Sequence, residues 1–124
     1  MRIVTAGRIN EWCKEHSVIA AQLLRWLAAM ERLTECHSFY DLRRVFNSVD
    51  RVITEKGNAV CVFNLGHGRN AYRLIAAIHF NTQIVFVLRL FTHAEYDKNE
   101  WKASYEDIED RTPEKGTRDL RGIM

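Results

Sequence analysis

The sequence predicts an α+β domain with its helices laid against one face of a sheet, because the spacing of apolar residues changes once, near Asn58. Before that point Leu23, Trp26, Leu27 and Met30 recur three and four residues apart, the mark of an amphipathic helix over 18–35. After it come three β-rich runs, 59–65, 71–80 and 84–92. They are separated by Gly66-His67-Gly68-Arg69-Asn70 and Asn81-Thr82-Gln83, connections short enough for antiparallel hairpins. Helices first and a strand meander afterwards give an α+β layer architecture.

In chain order, residues 2–5 are a short strand candidate, and Glu11-Trp12-Cys13-Lys14-Glu15-His16 opens a helical region. Ser38 is the expected N-cap of a helix over 39–46 that puts Phe39, Leu42 and Phe46 on one face. Ser48-Val49-Asp50-Arg51-Val52 breaks that pattern, and Lys56-Gly57-Asn58 signals a turn. In the middle strand, alternation sends Tyr72, Leu74, Ala76, Ile78 and Phe80 one way and Arg73, Ile75, Ala77 and His79 the other. A three-residue turn at 81–83 pairs Phe80 with Ile84 and therefore Arg73 with Phe91. Arg73 then lies diagonally beside Arg89 and His93. A two-residue turn slips the pairing by one and takes these neighbours from Arg73. The expected division is a domain over 1–103 and an acidic tail over 104–124, where Glu106-Asp107-Ile108-Glu109-Asp110 precedes Thr112-Pro113 and large apolar residues are scarce.

A length of 124 residues suits one core, and 47% hydrophobic content suits a compact globule. No apolar run approaches the roughly 18 residues of a membrane span. Met1-Arg2-Ile3-Val4-Thr5 lacks a signal peptide's apolar region, so a cytoplasmic protein is expected. Cys13, Cys36 and Cys61 are odd in number and widely spaced, which reads as ordinary thiols without a closed metal-ligand set. The net charge of +2 is uneven: residues 1–102 hold 14 Lys/Arg against 10 Asp/Glu, and 103–124 hold 4 against 6. A modestly basic body suits a polyanion partner.

The chemistry-bearing residues gather where the last strand ends. Arg73, His93, Tyr96 and Lys98 are placed to form a cationic, partly aromatic groove, with Arg69 on its rim. Metal-free RNA cleavage needs a base for the 2′-OH, cations against the charge growing on phosphorus, and an acid for the leaving 5′-oxygen. Histidine exchanges protons near neutral pH, arginine grips phosphate through its fork, and lysine supplies a point charge. Tyrosine stacks on a base or touches ribose. Each also has a plainer reading: solvated strand arginines and a histidine starting a helical turn are common.

Val62-Phe63-Asn64-Leu65, Asn70-Ala71-Tyr72-Arg73-Leu74 and, above all, Thr92-His93-Ala94-Glu95-Tyr96-Asp97-Lys98 resemble the HigB-type toxins of the RelE/ParE superfamily, over residues 1 to about 102. That resemblance implies a RelE-like fold, with helices preceding a twisted antiparallel sheet of three to four strands and a short C-terminal helix. It implies a ribosome-dependent mRNA endoribonuclease that works by 2′-OH attack, without cofactor or metal, and inhibits translation. Carried over, Arg73, His93, Tyr96 and Lys98 are the catalytic candidates. Arg69, Asn70 and Arg89 are RNA-contact candidates by their place beside the groove, since the family's last-strand arginine falls one position earlier, at Leu88, and Asn70 also shapes the hairpin. The implied partners are mRNA, the ribosome and a HigA-type helix-turn-helix antitoxin, with operator DNA bound only through the toxin–antitoxin complex and no membrane involved. The alternatives are a ParE-like inhibitor of DNA gyrase and an inactive nucleic-acid-binding adaptor; fold alone does not separate them.

Overall fold

The computed structural model describes residues 1–54 and 57–97. The elements run β1 (Arg2–Ile3), α1 (Ala6–Glu15), a 3₁₀ turn (Ser17–Ile19), α2 (Ala20–Arg32), α3 (Phe39–Val45), β2 (Asp50–Ile53), β3 (Ala59–Leu65), a 3₁₀ turn (Gly68–Asn70), β4 (Tyr72–His79), β5 (Ile84–Thr92) and α4 (His93–Asp97). The sheet order is β1-β5-β4-β3-β2. The α+β class and the three-strand meander stand as the sequence predicts. Two expectations are corrected. The sheet has five strands, because Asp50–Ile53, read as a break in the helical pattern, pairs antiparallel with β3. It is also mixed, because β1 runs parallel to β5. Both are edge strands of four residues or fewer: β1 falls within the strand expected over 2–5, and β2 is too short for alternation to declare itself.

Helices α1 to α3 cover one sheet face. Ile9, Leu23, Trp26, Met30 and Leu42 meet Cys61, Phe63, Leu74, Ala76, Val85 and Val87 in the main core. Trp26 and Phe46 each stand edge-on to Phe63 at 5.2 Å between ring centroids, the geometry favoured by aromatic quadrupoles. The expected cap forms: Ser38 Oγ accepts from the Asp41 N–H at 3.1 Å, worth about 1 kcal/mol to α3. The other face carries a smaller cluster of Val60, Val62, Ile75, Ala77, Phe86 and Leu88, with Phe91 and Tyr96 against it. The three central strands are therefore apolar on both faces, and the alternation predicted for β4 holds residue by residue.

The β4–β5 register is reached by an unexpected route. The turn is four residues long, so Ile84 pairs with His79 and not with Phe80. Gln83 adopts a positive φ of 59° there, and its side-chain amide ties the turn down by donating to the Phe80 and Cys36 carbonyls, each at 2.7 Å. That register alone would set Leu90 opposite Arg73. A β-bulge between the pairs Ala76↔Val87 and Ile75↔Arg89 takes up one extra residue, Leu88, and restores Arg73↔Phe91. The outer edge of the bulge is held by the N-terminal segment. Thr5 Oγ1 accepts from the Val87 N–H at 2.6 Å, and Arg8 donates to the Val87 and Leu88 carbonyls at 3.3 and 2.7 Å.

Gly66 (φ +69°) starts the β3–β4 connection, and a Cβ there would meet the Asn70 carbonyl oxygen at 2.0 Å. The cysteines are free thiols. Burial, with Cys36 adding and Arg51 opposing, pushes Cys61 up to about 12. No helix among the described residues is long and apolar enough to cross a membrane.

The bulge clamp makes a stability prediction. Arg8→Ala leaves two strand carbonyls without their charged donor, and such bonds are worth about 1.5–3 kcal/mol. Because Arg8 is half-exposed, a loss of about 1–2 kcal/mol should appear in urea unfolding. An unchanged midpoint would mean that β4 alone holds the bulge.

Candidate functional site

The bulge puts Arg89 and Phe91 on the face of Arg73, away from the helices, and β5 then turns directly into α4. The turn is built by the sequence Thr92-His93-Ala94-Glu95. Thr92 Oγ1 accepts from the Glu95 N–H at 3.2 Å, and the Glu95 carboxylate accepts from the Thr92 N–H at 2.8 Å, a reciprocal capping box. The His93 N–H donates to the Ala71 carbonyl at 3.0 Å, pinning the helix start to the beginning of β4. These bonds fix a short helix that propensity alone would not hold.

His93 stands between Arg73 and Asp97. Arg73 Nη2 lies 3.1 Å from His93 Nδ1, and His93 Nε2 lies 3.1 Å from Asp97 Oδ2. Arginine has donors only, so Nδ1 must be the acceptor and the imidazole proton sits on Nε2, directed at the carboxylate. Arg73 also donates through Nη1 to the Tyr72 carbonyl at 3.2 Å, and its guanidinium carbon lies 5.9 Å from the centre of the Tyr96 ring. Burial pushes the Tyr96 phenol above its ordinary value, with Asp50 and Asp97 pushing the same way and Arg73 opposing. Tyr96 is therefore a protonated donor near neutral pH, suited to stacking and hydrogen bonding and unsuited to removing protons.

Of the residues singled out by sequence, the structure brings Arg73, His93 and Tyr96 together. Arg69 and Asn70 sit in the exposed 3₁₀ turn leading into Ala71, at the same end of the sheet as α4. Arg89 shares the face of Arg73, two residues from Phe91 along β5, and donates to the Leu88 carbonyl at 2.9 Å. Lys98 and the acidic tail of 104–124 lie outside the described residues. Sequence reasoning gave Asp97 no role and missed the capping box. Both were signalled by spacing: Asp97 is four residues after His93 on one helix face, and Thr92 is three before Glu95. Among the described residues, no group of three or more His, Cys, Asp or Glu side chains is placed to hold a metal.

Residues 19–99 match the family described as HigB_toxin, RelE-like toxic component of a toxin-antitoxin system. The match takes in every described site residue named above. No curated protein matches the chain.

The Tyr96 environment has a measurable sign. In the ultraviolet difference titration of wild type against Tyr96→Phe, this phenol should ionise above its ordinary value of 10.0. Arg73→Ala removes a nearby positive charge that favours phenolate, so it should move the transition higher still. Ionisation at or below 10.0, or a downward move in Arg73→Ala, would contradict the geometry.

Proposed function

The chain belongs to the HigB_toxin family, the RelE-like toxic components of toxin-antitoxin systems, and from that premise we propose that it is an endoribonuclease that cleaves translated mRNA on the ribosome without a metal. The observation that carries this reading is the contact of Arg73 with His93, each beside Tyr96 or Asp97, at the exposed end of a rigid strand pair.

In this mechanism Arg73 grips the scissile phosphate and opposes the charge that grows on its oxygens. The 2′-oxygen attacks the adjacent phosphorus and loses its proton, the P–O5′ bond breaks, and the 5′-oxygen takes up a proton. The products are a 2′,3′-cyclic phosphate and a 5′-hydroxyl. His93 carries the proton transfer through Nδ1, the nitrogen that faces Arg73 and hence the bound phosphate. Asp97 is a positioning residue: it holds Nε2–H, fixes the tautomer, and stabilises the imidazolium that forms when Nδ1 takes a proton. Tyr96 stacks on a base or contacts ribose. Arg69, Asn70 and Arg89 extend the surface available to flanking phosphates, and Lys98 adds a second phosphate contact. The partner that silences this activity is a HigA-type helix-turn-helix antitoxin, and operator DNA is bound by the complex.

Mapping RNA ends after brief expression tests the reading. Wild type should leave new mRNA 5′-hydroxyl ends, and His93→Ala should lower cleavage by about 10²–10⁴-fold, the usual worth of a positioned acid or base. The variant should stay folded, because the His93 side chain is exposed. Asp97→Asn should also slow cleavage and alter its pH profile. Intact mRNA accompanied by double-strand DNA breaks would replace this reading with gyrase inhibition.

A further inference from the structure

On the side of the sheet covered by the helices, a cavity of about 300 Å³ opens between α2, the α3–β2 connection and the end of β3. It is lined by Trp26, Phe46 and Phe63, with Trp26 and Phe46 each edge-on to Phe63. Gln22, Arg25 and Ser48 also line it. The cavity borders the start of β2, and β2 ends the strand order, so its outer backbone edge has no strand neighbour among the described residues. Ile53 on that strand is 48% exposed. Arg25 lines the cavity, Arg51 lies on β2 itself next to Asp50, and Arg43 and Arg44 end α3 just before the cavity residue Phe46. All four are exposed, and none is ion-paired to a carboxylate among the described residues.

We propose that this edge and cavity are the antitoxin interface: an extended acidic segment of the antitoxin adds to β2 as a further strand and inserts one apolar side chain among Trp26, Phe46 and Phe63. The chemistry favours a polypeptide over RNA for two reasons. A bare strand edge is satisfied by another backbone's N–H and C=O groups, which RNA does not have. The lining rings are packed edge-to-face in the core, Trp26 and Phe63 being 3% and 2% exposed, so no open ring face is offered to a nucleobase. The arginines supply the charge complement for Asp and Glu in the added strand. The cavity would take the central apolar anchor that carries most of the energy in such interfaces.

The cavity opens on the helix-covered face, opposite Arg73, His93 and Tyr96, while β2 itself runs near the site: Val52 packs in the same cluster as Tyr96, and the Asp50 charge acts on its phenol. The inference rests on the family's pairing of toxin with antitoxin and does not depend on nuclease chemistry.

The test measures calorimetric affinity for the protein encoded beside this gene, with three variants at exposed or half-exposed positions: Gln22→Trp to fill the mouth, Arg25→Glu to reverse the charge, and Ile53→Lys on the strand edge. Each should weaken binding at least about tenfold, the size of one lost anchor or charge contact. The Arg25→Glu defect should shrink as salt is raised. Amide exchange at Arg51, Val52 and Ile53 should slow in the wild-type complex. Each variant alone should still arrest growth, because none touches the site. Folded variants that all bind like wild type would overturn the proposal, as would a wild type that does not bind the neighbouring protein. So would variants that change only self-association, which would assign the surface to a second copy. Tight, variant-sensitive binding by a wild type that leaves mRNA intact would uphold the interface and discard the nuclease reading.

Discussion

Everything at the site depends on one extra residue in β5. Side chains on a strand alternate, so a register displaced by one position sends every later residue to the wrong face. The four-residue turn at Phe80–Gln83 produces such a displacement, and the bulge at Leu88 cancels it. Downstream of the bulge, Phe91 pairs with Arg73, and α4 starts within reach of the same arginine. The bulge in turn depends on Thr5 and Arg8, nearly eighty residues earlier, which satisfy the backbone groups that β1 is too short to cover. A cation at the N-terminus thus sets the aim of a histidine near residue 90 through backbone geometry, without touching it.

The second layer of control is local. Glu95 closes the first turn of α4 and leaves His93 exposed with both ring nitrogens engaged. Division of labour follows from spacing. Positions three apart close the helix, and positions four apart place the carboxylate on the imidazole. A five-residue helix is rigid enough for this because its start is bonded to Ala71 on the neighbouring strand.

Much of this architecture was legible in the sequence, and the misses have physical causes. The helix over Leu23, Trp26 and Met30, the Ser38 cap, and both faces of β4 followed from periodicity, since long amphipathic elements repeat their signal. Of the two edge strands, Arg2–Ile3 was expected but not its parallel pairing with β5, and Asp50–Ile53 was missed because it is too short to show alternation and exists through its partner. The pairing of Arg73 with Phe91 was anticipated with the wrong turn length. Two deviations of one residue, in the turn and in the bulge, offset each other. Sequence pattern carries no trace of such a compensation, which arises from Gln83 bonding and the Arg8 clamp. At the site, residue type pointed to Arg73, His93 and Tyr96, whereas Asp97 emerged only from the helical geometry of α4.

The account stands or falls on the orientation of the His93 ring. Long-range proton–nitrogen NMR of the neutral imidazole reads its tautomer directly. The proton should reside on Nε2, with Nδ1 bare and facing Arg73, and Arg73→Ala should weaken that preference. A His93 that carries its proton on Nδ1 in the folded wild-type protein would contradict the pairing on which the bulge, the clamp and the proposed chemistry converge.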